Sequence, residues 1–218
     1  MSLDTLLINL QGFEGNILKN LPCSIDLNLK NKSFSRIAIQ RLIEKEILGN
    51  SNLNEMQREH NFHLKTVPVM SGSFVPMENM LLVNSHLKDL YDENWEDSEL
   101  SNLLKKKILI IPFLVKDRNL GQQNRVIGKS FIWQANEEET NEIKTEWSLF
   151  RDLIRSGSIP NTLNSEKKFL TEKDTQFIHM RPHASKGKFE YDKFGNKVRN
   201  MCFMLNKGFL RSIILKNK

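Results

Sequence analysis

The chain has 218 residues, a formal net charge of +6 and a pI near 9.3, a length that suits one medium-sized domain or one domain with an arm. A hydrophobic fraction of 39% that includes 13 Phe supplies a core and excludes a disordered chain. Two cysteines, Cys23 and Cys202, are too few for a disulfide framework or a tetrahedral cysteine zinc site, which favours a reducing, cytosolic compartment; no apolar run reaches the roughly 18 residues of a membrane span.

In chain order, residues 5–21 read as a helix weakened by Gly12 and Gly15 and stopped at Pro22. A polar turn follows, then a helix over SFSRIAIQRLIEKEIL, capped by Ser33 or Ser35 and closed by Gly49. Residues 50–58 read as a polar loop. HNFHLKTVPV at 60–69 reads as a strand on which His63 and Lys65, two apart, share one face; Pro68 makes it an edge strand or ends it. NMLLVNS at 79–85 is a short strand, and 88–99 an acidic, aromatic loop. KILIIPFLV at 107–115 is a continuous apolar run, the pattern of a strand buried on both faces, and RVIGKSFIW at 125–133 alternates and should pair beside it.

The clearest helix is 136–156. Asn136 and Glu139 form a capping-box pattern, and Ile143, Trp147, Phe150 and Ile154 recur on one face. The triplet of glutamates at its start suits the helix dipole better than a metal. QFIHMRPHA is a strand ending at Pro182, SKGKFEYDKFGNKVRN a basic excursion, MCFMLN the last strand and FLRSIILK a terminal helix or strand. Strands interleaved with helices in this order predict an α/β domain with a mixed central sheet flanked by helices. A single domain is expected over 1–218: an N-terminal helix and basic turn at 1–32, a core at 33–157 and a basic segment at 176–218.

The charge is uneven. Residues 176–218 hold ten Lys or Arg against two acidic residues, while the other 175 are nearly balanced. That fits phosphate contact, with Lys186 and Lys188 as candidates, or simply a basic surface. Arg181 can read guanine bidentately or pair with an acid. No GxGxxG, Walker A, HExxH or GxSxG motif occurs, and the five histidines have no metal-ligand spacing on a helix. The opening MSLDTLL lacks the basic and apolar regions of a signal peptide.

Taken together, LKNKSFSRIAIQRLIEKEILG, HLKTVPV, KKKILIIPFLV, RVIGKSFIWQANEEETNEIKTEWSLFRDLI, HMRPHA and CFMLNKGFLRSIIL resemble, in order over roughly 30–215, the MutH and Sau-three-A family of GATC-directed bacterial DNA endonucleases. The resemblance implies a restriction-endonuclease-like fold. It also implies a catalytic strand in which a carboxylate precedes a lysine by two residues, with an Asp about seven residues earlier, to hold Mg²⁺. Here His63 stands at the carboxylate, Met56 at the Asp with Glu55 beside it, and Lys65 and Lys106 match lysines of the family. The catalytic set is thus not intact. A single histidine does not replace a hard oxygen ligand for Mg²⁺.

The departures point to the second, non-catalytic domain of the Sau-three-A restriction enzymes, which binds a GATC duplex and acts allosterically on a catalytic MutH-like domain in the same chain. The start of the sequence suits an excised C-terminal half of that kind. By the same resemblance, Lys32 and Ser33 match a basic turn that enters the groove, and Arg181 a guanine reader. His183 stands at a lysine and Lys207 at an arginine, while Leu210 takes the place of a tyrosine that senses adenine methylation. The expected partners are duplex DNA and the catalytic domain, with dimerisation on DNA open and no membrane. No cofactor is expected for this domain, Mg²⁺ belonging to the catalytic one. Two other readings stay open: an active Mg²⁺-dependent endonuclease using Glu55, Lys65 and an acid such as Glu44 or Glu46, and a protein-interaction domain that kept only the fold.

Overall fold

Helices and strands are interspersed along the chain. A computed structural model describes residues 1–24, 27–28, 33–158, 170–182 and 189–218. Among these, the order is α1 (Leu3–Gln11), α2 (Phe34–Arg41), α3 (Leu53–Glu59), β1 (Phe62–Met70), β2 (Met80–Ser85), α4 (Leu87–Asp92), α5 (Glu99–Leu104), β3 (Lys107–Val115) and β4 (Val126–Ile127). Then come β5 (Phe131–Trp133), α6 (Glu137–Arg155), β6 (Ile178–Pro182), β7 (Phe189–Tyr191), β8 (Lys197–Arg199), β9 (Met201–Leu205) and α7 (Lys207–Lys216). The chain divides into two compact units, one of residues 1–78, 106–134 and 211–218, the other of 79–105 and 135–210. The stretch 33–157, expected as one core, is therefore shared between them.

The first unit is built on a mixed sheet. The apolar run of β3 sits at its centre, with β1 parallel on one side and β4 and β5 antiparallel to it. Parallel pairing sets Phe62 against Lys107 and Met70 against Val115. Residues 108–113 of β3 are all buried, as its lack of alternation predicted. Leu3, Leu6 and Leu10 of α1, Phe34, Ala38 and Ile39 of α2, and Leu53 and Met56 of α3 join Phe62, Leu109, Ile111 and Phe113 in one apolar cluster. Each of the Leu, Ile, Phe and Met side chains among them contributes roughly 1.5–3 kcal/mol by leaving water.

Three expectations shift here. The first helix stops at Gln11 rather than continuing to Pro22. Gly15, at φ +83°, turns the chain so that its N–H and the Asn16 carbonyl bond to Ile127, an arrangement a helix would forbid. The expected loop at 50–58 contains α3, because the Asn52 side chain caps it (2.8 Å from the Asn54 N–H) and Leu53 and Met56 share its buried face. His60 accordingly ends α3 and lies outside the strand. Pro68 does not end β1, which continues to Met70 as a sheet edge, where proline costs no ladder bond.

The second unit has an antiparallel sheet in the order β2, β9, β6, with all five residues of β9 buried. The apolar stripe of α6 is buried as expected. Phe150 meets Phe203 of β9 edge-on at 5.8 Å, and Trp147 meets Trp95 at 5.5 Å. Both halves of the capping box form: the Glu139 N–H donates to Asn136 Oδ1 (2.8 Å), and the Asn136 N–H donates to Glu139 Oε2 (3.2 Å). The expected loop at 88–99 holds α4 and the start of α5. Leu87 and Leu90 are buried, and Ser98 caps α5 through the Ser101 N–H.

Within the basic excursion, β7 and β8 form a hairpin that is tied to α4. One Glu190 carboxylate oxygen accepts from the Leu87 N–H (3.0 Å) and the other pairs with His86 Nδ1, while Lys193 pairs with Asp92. The hydrogen bond to Glu190, helped by the charges of Glu190, Asp89 and Glu99 against the opposing effect of burial, lifts the His86 imidazole above its ordinary 6.5. A raised folded value makes this contact complete below 6.5 and lost as pH rises through the raised value. Hydrogen-exchange protection of the hairpin amides is therefore expected to fall across that window in the native chain and to be flat with pH in Glu190→Gln. A protection profile unchanged by pH in the native chain would contradict it.

Candidate functional site

Two groups of residues singled out in the sequence come together locally, one in each unit. In the first unit the alternation of β1 turns Phe62 and Leu64 towards the apolar cluster and puts His63 and Lys65 together on the other face. Both are half-buried. Burial lowers the His63 imidazole, and the charges of Lys106 and Lys65 lower it further. Burial draws the Lys65 ammonium from 10.5 down to about 8. The exposed edge of β1 is protected by Gln57 of α3, whose Oε1 accepts the Leu64 N–H at 2.8 Å.

The positions where a metal would need carboxylates do not supply them. Met56 points into the core and is 6% exposed. Glu55 is exposed in the first turn of α3, and Glu46 is exposed in the π-helical turn Leu42–Ile47 that extends α2. Glu44 Oε1 already accepts from Gln40 Nε2 and from the Leu53 N–H, both at 3.2 Å. Among the described residues no three His, Cys, Asp or Glu side chains gather as a ligand set. A neutral imidazole beside two lysines does not fit Mg²⁺, which asks for hard, negative oxygen donors.

Ser33 lies exposed just ahead of α2, and its carbonyl accepts the Ile37 N–H at 3.0 Å. Lys32, His183, Lys186 and Lys188 lie outside the described residues.

In the second unit Arg181 stands exposed near the end of β6, opposite Cys202 in the β6–β9 register. Its carbonyl accepts from the Cys202 thiol at 3.4 Å, and burial pushes that thiol up to about 11 against the pull of the Arg181 charge. An un-ionised, buried thiol is a packing group. Lys207, half-buried, opens α7, and its N–H donates to Asn79 Oδ1 at 2.8 Å. Leu210 is fully buried: Leu210, Ile213 and Ile214 fall at i, i+3 and i+4 on the apolar side of α7. The side chain likened by the resemblance to a methyl-sensing tyrosine is thus not presented at the surface.

The group that positions Arg181 was not singled out in the sequence. Glu146 of α6 is 8% exposed, and its carboxylate accepts the N–H groups of Gln176 (2.6 Å), Phe177 (3.0 and 3.2 Å) and Ile178 (2.7 Å). Three successive backbone donors converging on one carboxylate fix the entry of β6, three residues before Arg181. Behind it, buried His179 bonds Asn206 Oδ1 through Nδ1, and Asn206 Nδ2 donates to the Thr175 carbonyl at 2.9 Å. The signal for Glu146 was available in the sequence. It lies between Ile143 and Trp147 on the face that the apolar spacing marks as buried, where a carboxylate must find donors.

Residues 47–146 match the family model described as DNA mismatch repair enzyme MutH. The stretch includes His63, Lys65, Lys106 and Glu146 and leaves Arg181 outside. Among curated proteins, the chain is 26% identical over 159 residues to the DNA mismatch repair protein MutH of Citrobacter koseri, covering 71% of this chain and 64% of that protein. It is 24% identical to the protein of the same name from Shigella flexneri and 25% to that of Escherichia coli, covering 71% of this chain and 65% of each of those proteins. The chain thus spans under two thirds of the length of these relatives. The matches support a relationship to the MutH family, and the mixed sheet flanked by helices in the first unit agrees with it.

Proposed function

We propose that this MutH-like chain is a duplex-DNA-binding module that recognises GATC and does not cut DNA by itself. In this reading it serves as the allosteric half of a bacterial restriction endonuclease whose other half is a catalytic MutH-like domain. The observation that carries the proposal is the replacement of the metal-binding carboxylate by His63, beside Lys65 and Lys106, with Met56 packed in the core. Such a site repels a divalent cation rather than holding it, and without the cation no water is activated for phosphodiester attack. Recognition needs none of this. An exposed arginine held in place by its strand can form two parallel bonds to guanine O6 and N7. The basic excess at 176–218 supplies the phosphate contacts that orient it.

A GATC-containing plasmid incubated with the chain and Mg²⁺ or Mn²⁺ is expected to remain uncut. Site-specific cleavage would overturn the non-catalytic half of the reading. A GATC duplex is expected to bind more tightly than a scrambled one, with an affinity that falls as salt rises. Arg181→Ala should weaken GATC binding by about 1–3 kcal/mol and relax the preference between the two duplexes. An equal loss on both sequences would make Arg181 a phosphate contact instead. Cleavage by a catalytic MutH-like domain, measured with and without this chain and a second GATC duplex, tests the allosteric part.

A further inference from the structure

We propose that the outer face of the β7–β8 hairpin binds unpaired nucleotides, stacking bases on its aromatic rings while its basic side chains take the phosphates. The hairpin has two unlike faces. Inward, Glu190 is held by His86 and the Leu87 N–H, and its cross-strand partner Val198 is 4% exposed. Outward, the alternation of β7 presents Phe189 and Tyr191, 46% and 65% exposed, directly opposite the exposed Arg199 and Lys197. Lys197 Nζ lies 4.7 Å from the centre of the Phe189 ring.

The turn adds to this surface. Asp192 is buried and spent on the turn itself, its carboxylate accepting the N–H groups of Phe194 (2.9 Å) and Asn196 (2.7 Å) with Gly195 at φ +80°. That leaves Phe194 51% exposed, its ring edge-on to Tyr91 at 5.7 Å. The carboxylates of the hairpin are therefore used internally, and the outer face keeps rings and cations.

Each half of that chemistry argues against a different partner. Phosphate contact alone requires no exposed rings, and an apolar partner requires no lysine or arginine interleaved with them. A nucleotide offers an aromatic face and a negative charge together. In an intact duplex the base faces are covered by their neighbours, so rings of this kind can stack only on bases that are unstacked or single-stranded. The contacts of Glu190 and Lys193 to α4 hold the ribbon in place, so little ordering is needed at binding. The inference leans on the proposed function only for DNA as the polymer.

The test compares a blunt GATC duplex, the same duplex with a single-stranded thymidine tail, and a thymidine oligonucleotide, each labelled and titrated with the full chain. The tail is expected to raise affinity about tenfold per stacked base, since stacking on an aromatic ring is worth roughly 1–3 kcal/mol. Phe189→Ala with Tyr191→Ala should abolish that gain and leave blunt-duplex binding unchanged. Phe189→Leu with Tyr191→Leu, which keeps apolar bulk on the strand, should abolish it too. Photo-crosslinking from a bromodeoxyuridine tail should map to β7. A tail that adds nothing, a gain that survives both variants, or an equal loss on blunt and tailed duplex would overturn the inference. A native chain that binds the thymidine oligonucleotide but no duplex upholds it and overturns the GATC reading. A chain that binds none of the three overturns both.

Discussion

Lys65→Met is expected to make the chain more stable at neutral pH, by on the order of 3 kcal/mol. Burial on β1 disfavours the ammonium and brings its value from 10.5 to about 8. At pH 7 the lysine is charged in both states, so the net cost of burying the charge falls on the folded state. As pH rises from 8 towards 10.5 the folded lysine loses its proton first, and the cost shrinks. Above 10.5 both states are neutral and the cost is gone. Denaturant titrations at pH 7 and near pH 10 should therefore show a large gain from the substitution at the first and little at the second. A gain of equal size at both would assign the effect to packing instead of charge, and no gain at pH 7 would refute the argument. A lysine kept in a position that costs stability is intelligible on the reading proposed above, in which the strand is that of a MutH-like nuclease scaffold. There a carboxylate two residues earlier would favour the charged ammonium, whereas here His63 fills that place. His63→Glu should accordingly raise the Lys65 value and narrow the stability difference that Lys65→Met produces.

The parts of this fold that were legible in the sequence are those where one physical signal dominates. The unbroken apolar run of β3 and the single apolar face of α6, with its capping box, need no tertiary information to be recognised. The short helices α3, α4 and α5 were not legible. Each has only two or three buried apolar residues among polar neighbours, and each begins at a residue that equally suits a turn, such as Asn52 or Ser98. The division into two units was hidden for a different reason. Each is assembled from separated stretches, and composition does not mark the joins at 78–79, 105–106, 134–135 and 210–211. Of the site, the pairing of His63 with Lys65 on one face followed from strand alternation alone. That Met56 faces the core could have been read only once α3 was known to be a helix. The place of Leu210 in a motif carries no information about its burial, which follows from the apolar spacing of α7 once that segment is known to be a helix.

Glu146→Gln is expected to cost on the order of 3 kcal/mol and to relax discrimination between GATC and scrambled duplex at the same time. The carboxylate accepts three successive N–H groups with both of its oxygens. An amide keeps one acceptor oxygen and turns a donor towards backbone donors, so at least one of the three N–H groups loses its partner while another N–H group faces it. Glu146→Asp keeps the charge but shortens the reach by one methylene, and should restore part of the stability. The functional consequence follows from distance along the strand. Ile178 is bonded to Glu146, and Arg181 lies three residues further on β6, so loosening the entry of the strand moves the guanidinium relative to a base edge that tolerates little displacement. The discriminating readout is hydrogen exchange at residues 176–178 together with duplex affinities measured where the variant is still folded. Faster exchange with a lower GATC preference supports a positioning role. Faster exchange with the preference intact confines Glu146 to stability, and unchanged exchange would mean that β6 is fixed by its pairing with β9 alone.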